Sequence, residues 1–195
     1  MGKIFCVIGK SATGKDTIFR RLSFIKDLSL KRIIPYTTRP VREGEENGKE
    51  YFFCDEAEAE KFAREGRMIE QRAYNTMYGV WQYFTVDDGQ IDLNSGSYLL
   101  IGTLESFERI RNYYGKDNVL PIYIVVEDGE RLTRAISRER IQKQPKYEEM
   151  CRRFLADAED FSEEKLRHAG IVRRFVNVDL EETIAQIAAY IRENI

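Results

Sequence analysis

Nine residues near the start of the chain, Gly9-Lys10-Ser11-Ala12-Thr13-Gly14-Lys15-Asp16-Thr17, have the types and spacing of a phosphate-holding loop. They follow an apolar run, Ile4-Phe5-Cys6-Val7-Ile8, and precede a helix-forming segment. This is the strand, glycine loop and helix of the pattern G-x-x-x-x-G-K-S/T, complete except that Asp16 replaces the final hydroxyl residue. Each part has a physical task. The buried strand aims the loop, the glycines let backbone N–H groups curl around phosphate oxygens, and the helix start adds positive potential. Lys15 brings a mobile charge to the β- and γ-phosphates. An ordinary glycine-rich turn would not require a lysine directly after the second glycine.

A second set of polar residues begins after Pro35. Arg39 and Arg42 can grip a dianionic phosphate monoester with forked, charge-assisted bonds. The hydroxyls of Tyr51 and Tyr78 can donate to its remaining oxygens, and Glu45 can orient the arginines or the bound molecule. Read on residue types alone, the same stretch is more readily a solvated Arg/Glu loop with weak surface ion pairs.

These residues must be positioned by alternating strands and helices, which argue for an α/β fold with a parallel sheet. Strands are expected at 3–8, 31–34, 97–102, 120–126 and 172–177, and helices at 15–27, 104–114, 129–140, 146–168 and 180–194. The stretch 35–85 breaks the rhythm. Glu50 to Phe53 and Met68 to Tyr74 read as strands, with a helix between them that Asp55 can cap, Glu58 completing a capping box, and that Gly66 can end. Such an insert would sit over the carboxyl ends of the main strands, where open α/β sheets bind ligands. Gln142-Lys143-Gln144-Pro145 interrupts two charged helices and suits a hinge.

The 195 residues suffice for one domain with a substantial core, and a net charge of −2 gives no global basic surface for nucleic acid. Cys6, Cys54 and Cys151 form neither a disulfide framework nor a zinc pattern, and Cys6 is expected in the core. The single histidine, His168, excludes a Ser-His-Asp triad and a two-histidine metal site, and sits where a helix should end. Apolar runs are strand-sized, so no membrane partner is expected, and the immediate first strand leaves a cytoplasmic location as the expectation.

The segment Tyr36-Thr37-Thr38-Arg39-Pro40-Val41-Arg42-Glu43-Gly44-Glu45-Glu46-Asn47-Gly48-Lys49-Glu50-Tyr51-Phe52-Phe53 resembles the acceptor segment of the guanylate kinase family, T-T-R-x-P-R-x-G-E-x-x-G-x-x-Y-x-F, with the proline one position early. Met68-Ile69-Glu70, Tyr78-Gly79, Arg153 followed by Ala156, Ala158 and Glu159, and Val176-Asn177 extend the resemblance over most of the chain. It implies a three-layer P-loop fold with a five-stranded parallel sheet, a small mixed acceptor insert and a helical lid. In one domain over 1–195, the core would take 1–34, 86–127 and 165–195, the insert 35–85 and the lid 128–164.

The implied activity is phosphoryl transfer from ATP, with Mg²⁺, to GMP or dGMP. Gly9 to Thr17 would hold ATP and Asn177 would meet its adenine. Arg39, Arg42, Glu45, Tyr51, Tyr78 and Gly79 would hold the acceptor. Glu70 would accept the N1–H and N2–H₂ donors of guanine, a pattern that adenine lacks. Lys15, Arg39, Arg138 and Arg153 would surround the transferring group, whereas Arg134 and Arg140 are expected on a solvated helix face.

Four departures from the family pattern stand out. Pro35 and Val80 replace serines on the acceptor side, Ile101-Gly102-Thr103 replaces Asp-Ile-Asp at a strand end, and Asp16 replaces a Mg²⁺-ligating hydroxyl. The departures keep two other expectations open: transfer to another phosphorylated acceptor such as ribose 1,5-bisphosphate, and a non-catalytic binding module. Asp16, as a hard oxygen donor at a helix start, is a candidate Mg²⁺ ligand, possible partners being Thr17 and water.

Overall fold

The computed structural model of the chain describes residues 1–76 and 79–195. Its elements begin with β1 (Ile4–Ile8), α1 (Lys15–Ser23), a 3₁₀ turn (Lys26–Leu28), β2 (Lys31–Arg32), β3 (Tyr36–Thr37) and β4 (Phe52–Phe53). Next come α2 (Glu56–Arg64), β5 (Met68–Thr76), β6 (Gly79–Val86), β7 (Tyr98–Ile101), α3 (Leu104–Tyr114) and β8 (Val119–Val125). The chain ends with α4 (Asp128–Arg140), α5 (Tyr147–Asp160), α6 (Glu163–His168), β9 (Phe175–Val176) and α7 (Leu180–Arg192).

The main sheet has the order β2-β7-β1-β8-β9 with every pair parallel. β1 lies at its centre, and all five of its residues are fully buried. Its alternation splits the core into two layers. Ile4, Cys6 and Ile8 join Tyr98, Leu100, Leu104 and Phe107 on one face. Phe5 and Val7 join Ile18, Leu22, Ile184, Ile187 and Ile191 on the other. A strand buried on both faces reads as a continuous apolar run, which is how β1 appears in the sequence. The chain turns in opposite directions on the two sides of β1, so the crevice at its carboxyl end is the natural ligand position.

The second sheet has the order β4-β3-β6-β5. β3 pairs parallel with β4 and antiparallel with β6, which pairs antiparallel with β5. One face carries Phe84 and Val86 against Ala59 and Phe62 of α2, with Tyr36 stacked on Phe84 at 5.5 Å between ring centroids. Asp55 accepts the Glu58 amide to start α2, and Gly66, at φ 67°, follows its end.

Several boundaries move for local reasons. The helix expected to reach residue 27 stops at Ser23, whose hydroxyl donates back to the Arg20 carbonyl at 2.7 Å, and a 3₁₀ turn then buries Leu28. The helix expected over 146–168 is two helices. Phe161 leaves helical geometry to stack on Tyr123, centroids 5.6 Å apart, and Ser162 caps a new helix. The insert contains two strands beyond the strand-helix-strand expectation, β3 and β6. Cys6 is buried as expected, all three cysteines are free, and His168 ends α6. Among the described residues no helix is long and apolar enough to cross a membrane.

Phe84 is fully buried between Tyr36 and Phe62 and has no polar atom to re-solvate. Phe84→Ala should destabilise the fold by about 3–5 kcal/mol, the usual range for truncating a buried aromatic. A urea unfolding curve checks this through a lower midpoint at unchanged slope.

Candidate active site

The loop between β1 and α1 is shaped by its glycines. Gly14 has φ 83°, and a Cβ there would stand 2.7 Å from Asn177 Nδ2. Ala12 also takes a left-handed φ, 62°, a conformation that costs a residue with a side chain about 1–2 kcal/mol. Gly14 N-caps α1 without a side-chain acceptor. By contrast α2, α3, α4, α6 and α7 are each capped by a side chain. The first amides of α1 are therefore left for an external anion. Lys15 Nζ lies 3.8 Å from the exposed Asp16 carboxylate. Thr13 is almost fully buried and donates to the Lys10 carbonyl, closing the loop on itself.

Side chains from distant elements hold the rest of the loop. Asp157 of α5 accepts the Ser11 amide at 2.7 Å. Arg131 of α4 donates from Nε to the Ser11 carbonyl at 3.0 Å and from Nη2 to Asp157 at 2.9 Å. Its remaining η-nitrogen bonds Asp128, and its face covers Phe154 at 4.7 Å. Arg131 is only 1% exposed. Asn177, at the end of β9, donates Nδ2 to the Thr13 carbonyl at 2.8 Å. The residue that the resemblance places against adenine thus braces the loop as well. It also borders a cleft of about 270 Å³ with Gly14, Thr17, Arg134, Val178 and Leu180.

That cleft changes the picture of the charged helices. Arg134, expected on a solvated face, lines it and donates to the Asn177 carbonyl at 3.4 Å while pairing with Glu130. Arg138 is exposed with no bond among the described residues. Arg153 is paired with Glu149, whose carboxyl is pushed down to about 2 by Arg152 first and then by Arg153. Neither Arg138 nor Arg153 is brought to the loop in this conformation.

On the acceptor side, Thr37 and Thr38 cross-bond Gln82 of β6, and the Thr37 hydroxyl receives the Arg39 amide. This places Arg39, 3% exposed, with both η-nitrogens forked onto Glu45 at 2.6 Å. Its guanidinium lies 5.0 Å from the Tyr51 ring centroid and 5.3 Å from that of Phe53. The Arg39 fork holds the Glu45 carboxyl below its ordinary range, and Glu45 also accepts the Arg42 amide. The Arg42 side chain is exposed. Gly79 opens β6, and Tyr78 lies outside the described residues.

Glu70 is 2% exposed and already bonded. Arg72 donates from Nε at 2.9 Å and from Nη2 at 3.2 Å, and Thr85 donates its hydroxyl at 2.9 Å. Arg72 and Tyr83 are the residues of this face that motif reading passed over. The period of two in β5 carried the signal, because Glu70, Arg72 and Tyr74 share one side of the strand. Burial raises the Tyr51 hydroxyl, with Tyr83, Arg39, Arg72 and Asp16 all acting on it electrostatically.

Pro35, Gly102 and Thr103 each have a local role. Pro35 accepts the Phe52 amide through its carbonyl, joining β3 to β4. Gly102 abuts Ser106, where a Cβ would come 2.3 Å from its hydroxyl, and Thr103 forms a reciprocal capping box with Ser106 at the start of α3. The strand end therefore offers no carboxylate.

The chain thus carries a phosphate-holding loop and, on its second sheet, two buried arginines each forked onto a carboxylate. A model of the guanylate kinase family matches residues 1–194. The chain belongs to the guanylate kinase family. It is 30% identical to a guanylate kinase of Porphyromonas gingivalis over 192 residues, covering 96% of this chain and 95% of that one. A guanylate kinase of Wolbachia from Brugia malayi is 26% identical over 194 residues, 96% of this chain and 91% of its own. The crystal structure of guanylate kinase from Anaplasma phagocytophilum shares the fold, with a TM-score of 0.67 at 21% identity, covering all of this chain and 87% of that one.

The family implies ATP as phosphoryl donor and, typically, Mg²⁺. Among the described residues no three His, Cys, Asp or Glu side chains converge as a metal site. Mg²⁺ needs less than that, because substrate phosphates, water and one or two carboxylates complete its shell. Asp16 supplies one exposed carboxylate beside Lys15, so the residues fit the ion. Thr17 turns instead to the cleft with Asn177.

Replacing Arg131 by Met would leave the Asp157 carboxylate and the Ser11 carbonyl without their guanidinium. Arg131→Met should lower stability by about 3–5 kcal/mol, the usual result of breaking a buried pair on one side. Thermal melts with and without ATP would check it: the ATP-induced rise in Tm should shrink as well.

Proposed function

We propose that this chain transfers the γ-phosphoryl group of ATP to GMP or dGMP, giving GDP or dGDP and ADP. The observation that carries the proposal is the family match over residues 1–194, joined to an uncapped α1 start after the glycine loop and to the buried Arg39–Glu45 fork. The match favours GMP over a ribose bisphosphate acceptor and over a non-catalytic module.

In this reading the loop amides and Lys15 hold the β- and γ-phosphates, and Asn177 and Arg134 border the nucleoside. Arg39, Arg42, Tyr51, Gly79 and Tyr78 hold the acceptor phosphate for in-line attack, with Glu45 fixing the Arg39 fork. Asp16 is the proposed Mg²⁺ ligand, and the ion when bound would neutralise charge between the β- and γ-phosphates. Residues 35–85 form the acceptor insert and 128–164 the lid. Closure of the lid would bring Arg138 and Arg153 to the transferring group and exclude water, since an open site would hydrolyse ATP. Phosphoryl transfer asks for positioning and charge neutralisation rather than covalent help from the protein, which suits this inventory. A cytoplasmic enzyme is the corresponding setting.

ADP release measured with ATP and Mg²⁺ against GMP, dGMP, AMP, UMP, CMP and ribose 1,5-bisphosphate should show turnover with GMP and dGMP alone. Turnover confined to the sugar phosphate, or GMP binding without turnover, would overturn the proposal.

A second outcome concerns the metal. Asp16→Asn should raise the Mg²⁺ concentration for half-maximal rate about tenfold, because one charged oxygen is lost from the shell. An unchanged Mg²⁺ titration would assign Asp16 to the helix start alone.

A further inference from the structure

Arg72 has no place in the acceptor motif, and its bonding to Glu70 changes what the acceptor face can read. A carboxylate offers about four lone-pair directions. Glu70 Oε1 already accepts two donors, Thr85 Oγ1 and Arg72 Nη2, and Oε2 accepts Arg72 Nε. Accepting N1–H and N2–H₂ of guanine together needs a free direction on each oxygen, and Oε1 has none left. The acceptor-side serines of the family pattern are also replaced, residues 35 and 80 being proline and valine.

Arg72 offers the opposite chemistry. Its Nε and one Nη2 proton take the side-on fork to Glu70. Nη1 has no bond among the described residues, and 13% of the Arg72 side chain is exposed. Its end-on fork, one proton from each η-nitrogen, is thus free. It lies on the β5 face with Tyr74 and opposite Tyr83, whose rings are 5.6 Å apart, and Tyr83 meets Tyr51 at 5.7 Å.

We infer that Arg72, held by Glu70 and Thr85, is the base-reading residue, and that it takes guanine by its O6 and N7 acceptors rather than by its Watson–Crick edge. An end-on guanidinium matches two adjacent acceptors. Adenine presents an N6–H₂ donor beside N7 and is rejected by the same fork. Glu70 becomes a positioning residue that orients Arg72 and balances its charge. The 2-amino group of the base goes unread, so the acceptor class widens to 6-oxopurine nucleoside monophosphates.

The inference rests on the proposed GMP kinase activity, and a substrate series on the unaltered protein separates the two. With ATP and Mg²⁺, IMP should be turned over with kcat/KM within about threefold of GMP, because it keeps O6 and N7. The N7-deleted analogue 7-deaza-GMP should fall about tenfold, mostly through KM, and AMP further, the loss of one or both bonds of a bidentate contact. Arg72→Met should lower kcat/KM for GMP about a hundredfold and abolish the distinction between GMP and 7-deaza-GMP, with Arg72→Lys intermediate. Glu70→Gln, which loses the charge and turns one acceptor of the Arg72 fork into an N–H₂ donor, should lower kcat/KM for GMP and IMP alike and leave their ratio unchanged. IMP falling tenfold or more while 7-deaza-GMP matches GMP would overturn the inference and return base reading to Glu70, with the kinase activity intact. Silence with every purine monophosphate would overturn it by a different route, by removing the activity itself.

Discussion

A loop that binds phosphate through its backbone must leave N–H groups unpaired and still keep one shape. It cannot brace itself as a helix or strand does, since its donors are the binding surface. Here the bracing comes from outside. Asp157 and Arg131 fix Ser11 by its amide and its carbonyl, and Asn177 fixes the Thr13 carbonyl. The three side chains come from α5, α4 and the end of β9, so the orders of sheet and helices converge on one turn. The buried β1 fixes where that turn begins, and the lack of a side-chain cap on α1 keeps its amides available.

The same bracing ties the charged helices to the loop. α4 and α5 carry the arginines proposed to close over the transferring group, yet Arg131 and Asp157 root both helices at Ser11. Any movement of the proposed lid would therefore be confined to the far portion, beyond the rooted turns, where the 141–146 loop joins the helices. Glu139 organises that loop by accepting the Lys146 amide at 3.0 Å and the Gln142 side chain at 3.2 Å.

How much of this was legible depends on the period of each segment. The central strand, the loop and the helices α3, α4 and α7 follow from long apolar runs and clear caps, and all appear where the sequence places them. β6 was missed although Gly79-Val80-Trp81-Gln82-Tyr83-Phe84-Thr85-Val86 is rich in β-branched and aromatic residues, because glycine and the preceding motif drew it into a loop. The break at Phe161 was invisible because it is tertiary: only the Tyr123 ring across the core explains why that residue leaves the helix. Among site residues, Arg39 and Glu45 were legible as a pair, whereas Arg72 and Arg131 were not. Nothing in a linear motif says that an arginine is buried, and a buried arginine is defined by the carboxylates that meet it.

Those carboxylates account for the acceptor side in the absence of a ligand. Arg39 and Arg72 are each taken out of water and each answered by a fork from Glu45 or Glu70. A desolvated guanidinium without a partner would be several kcal/mol unfavourable. The pairing keeps both cations in place and oriented, so an incoming dianion or acceptor edge meets a fixed fork instead of a flexible chain, and less ordering cost falls on binding. It also explains how the strand end can do without acids. With Thr103 committed to capping α3 and Ile101 apolar, negative charge near the loop comes from Asp16 alone on the helix start, while the remaining carboxylates are already matched to arginines. The site has kept its cations and redistributed its anions, each placed where a specific guanidinium or the helix end holds it.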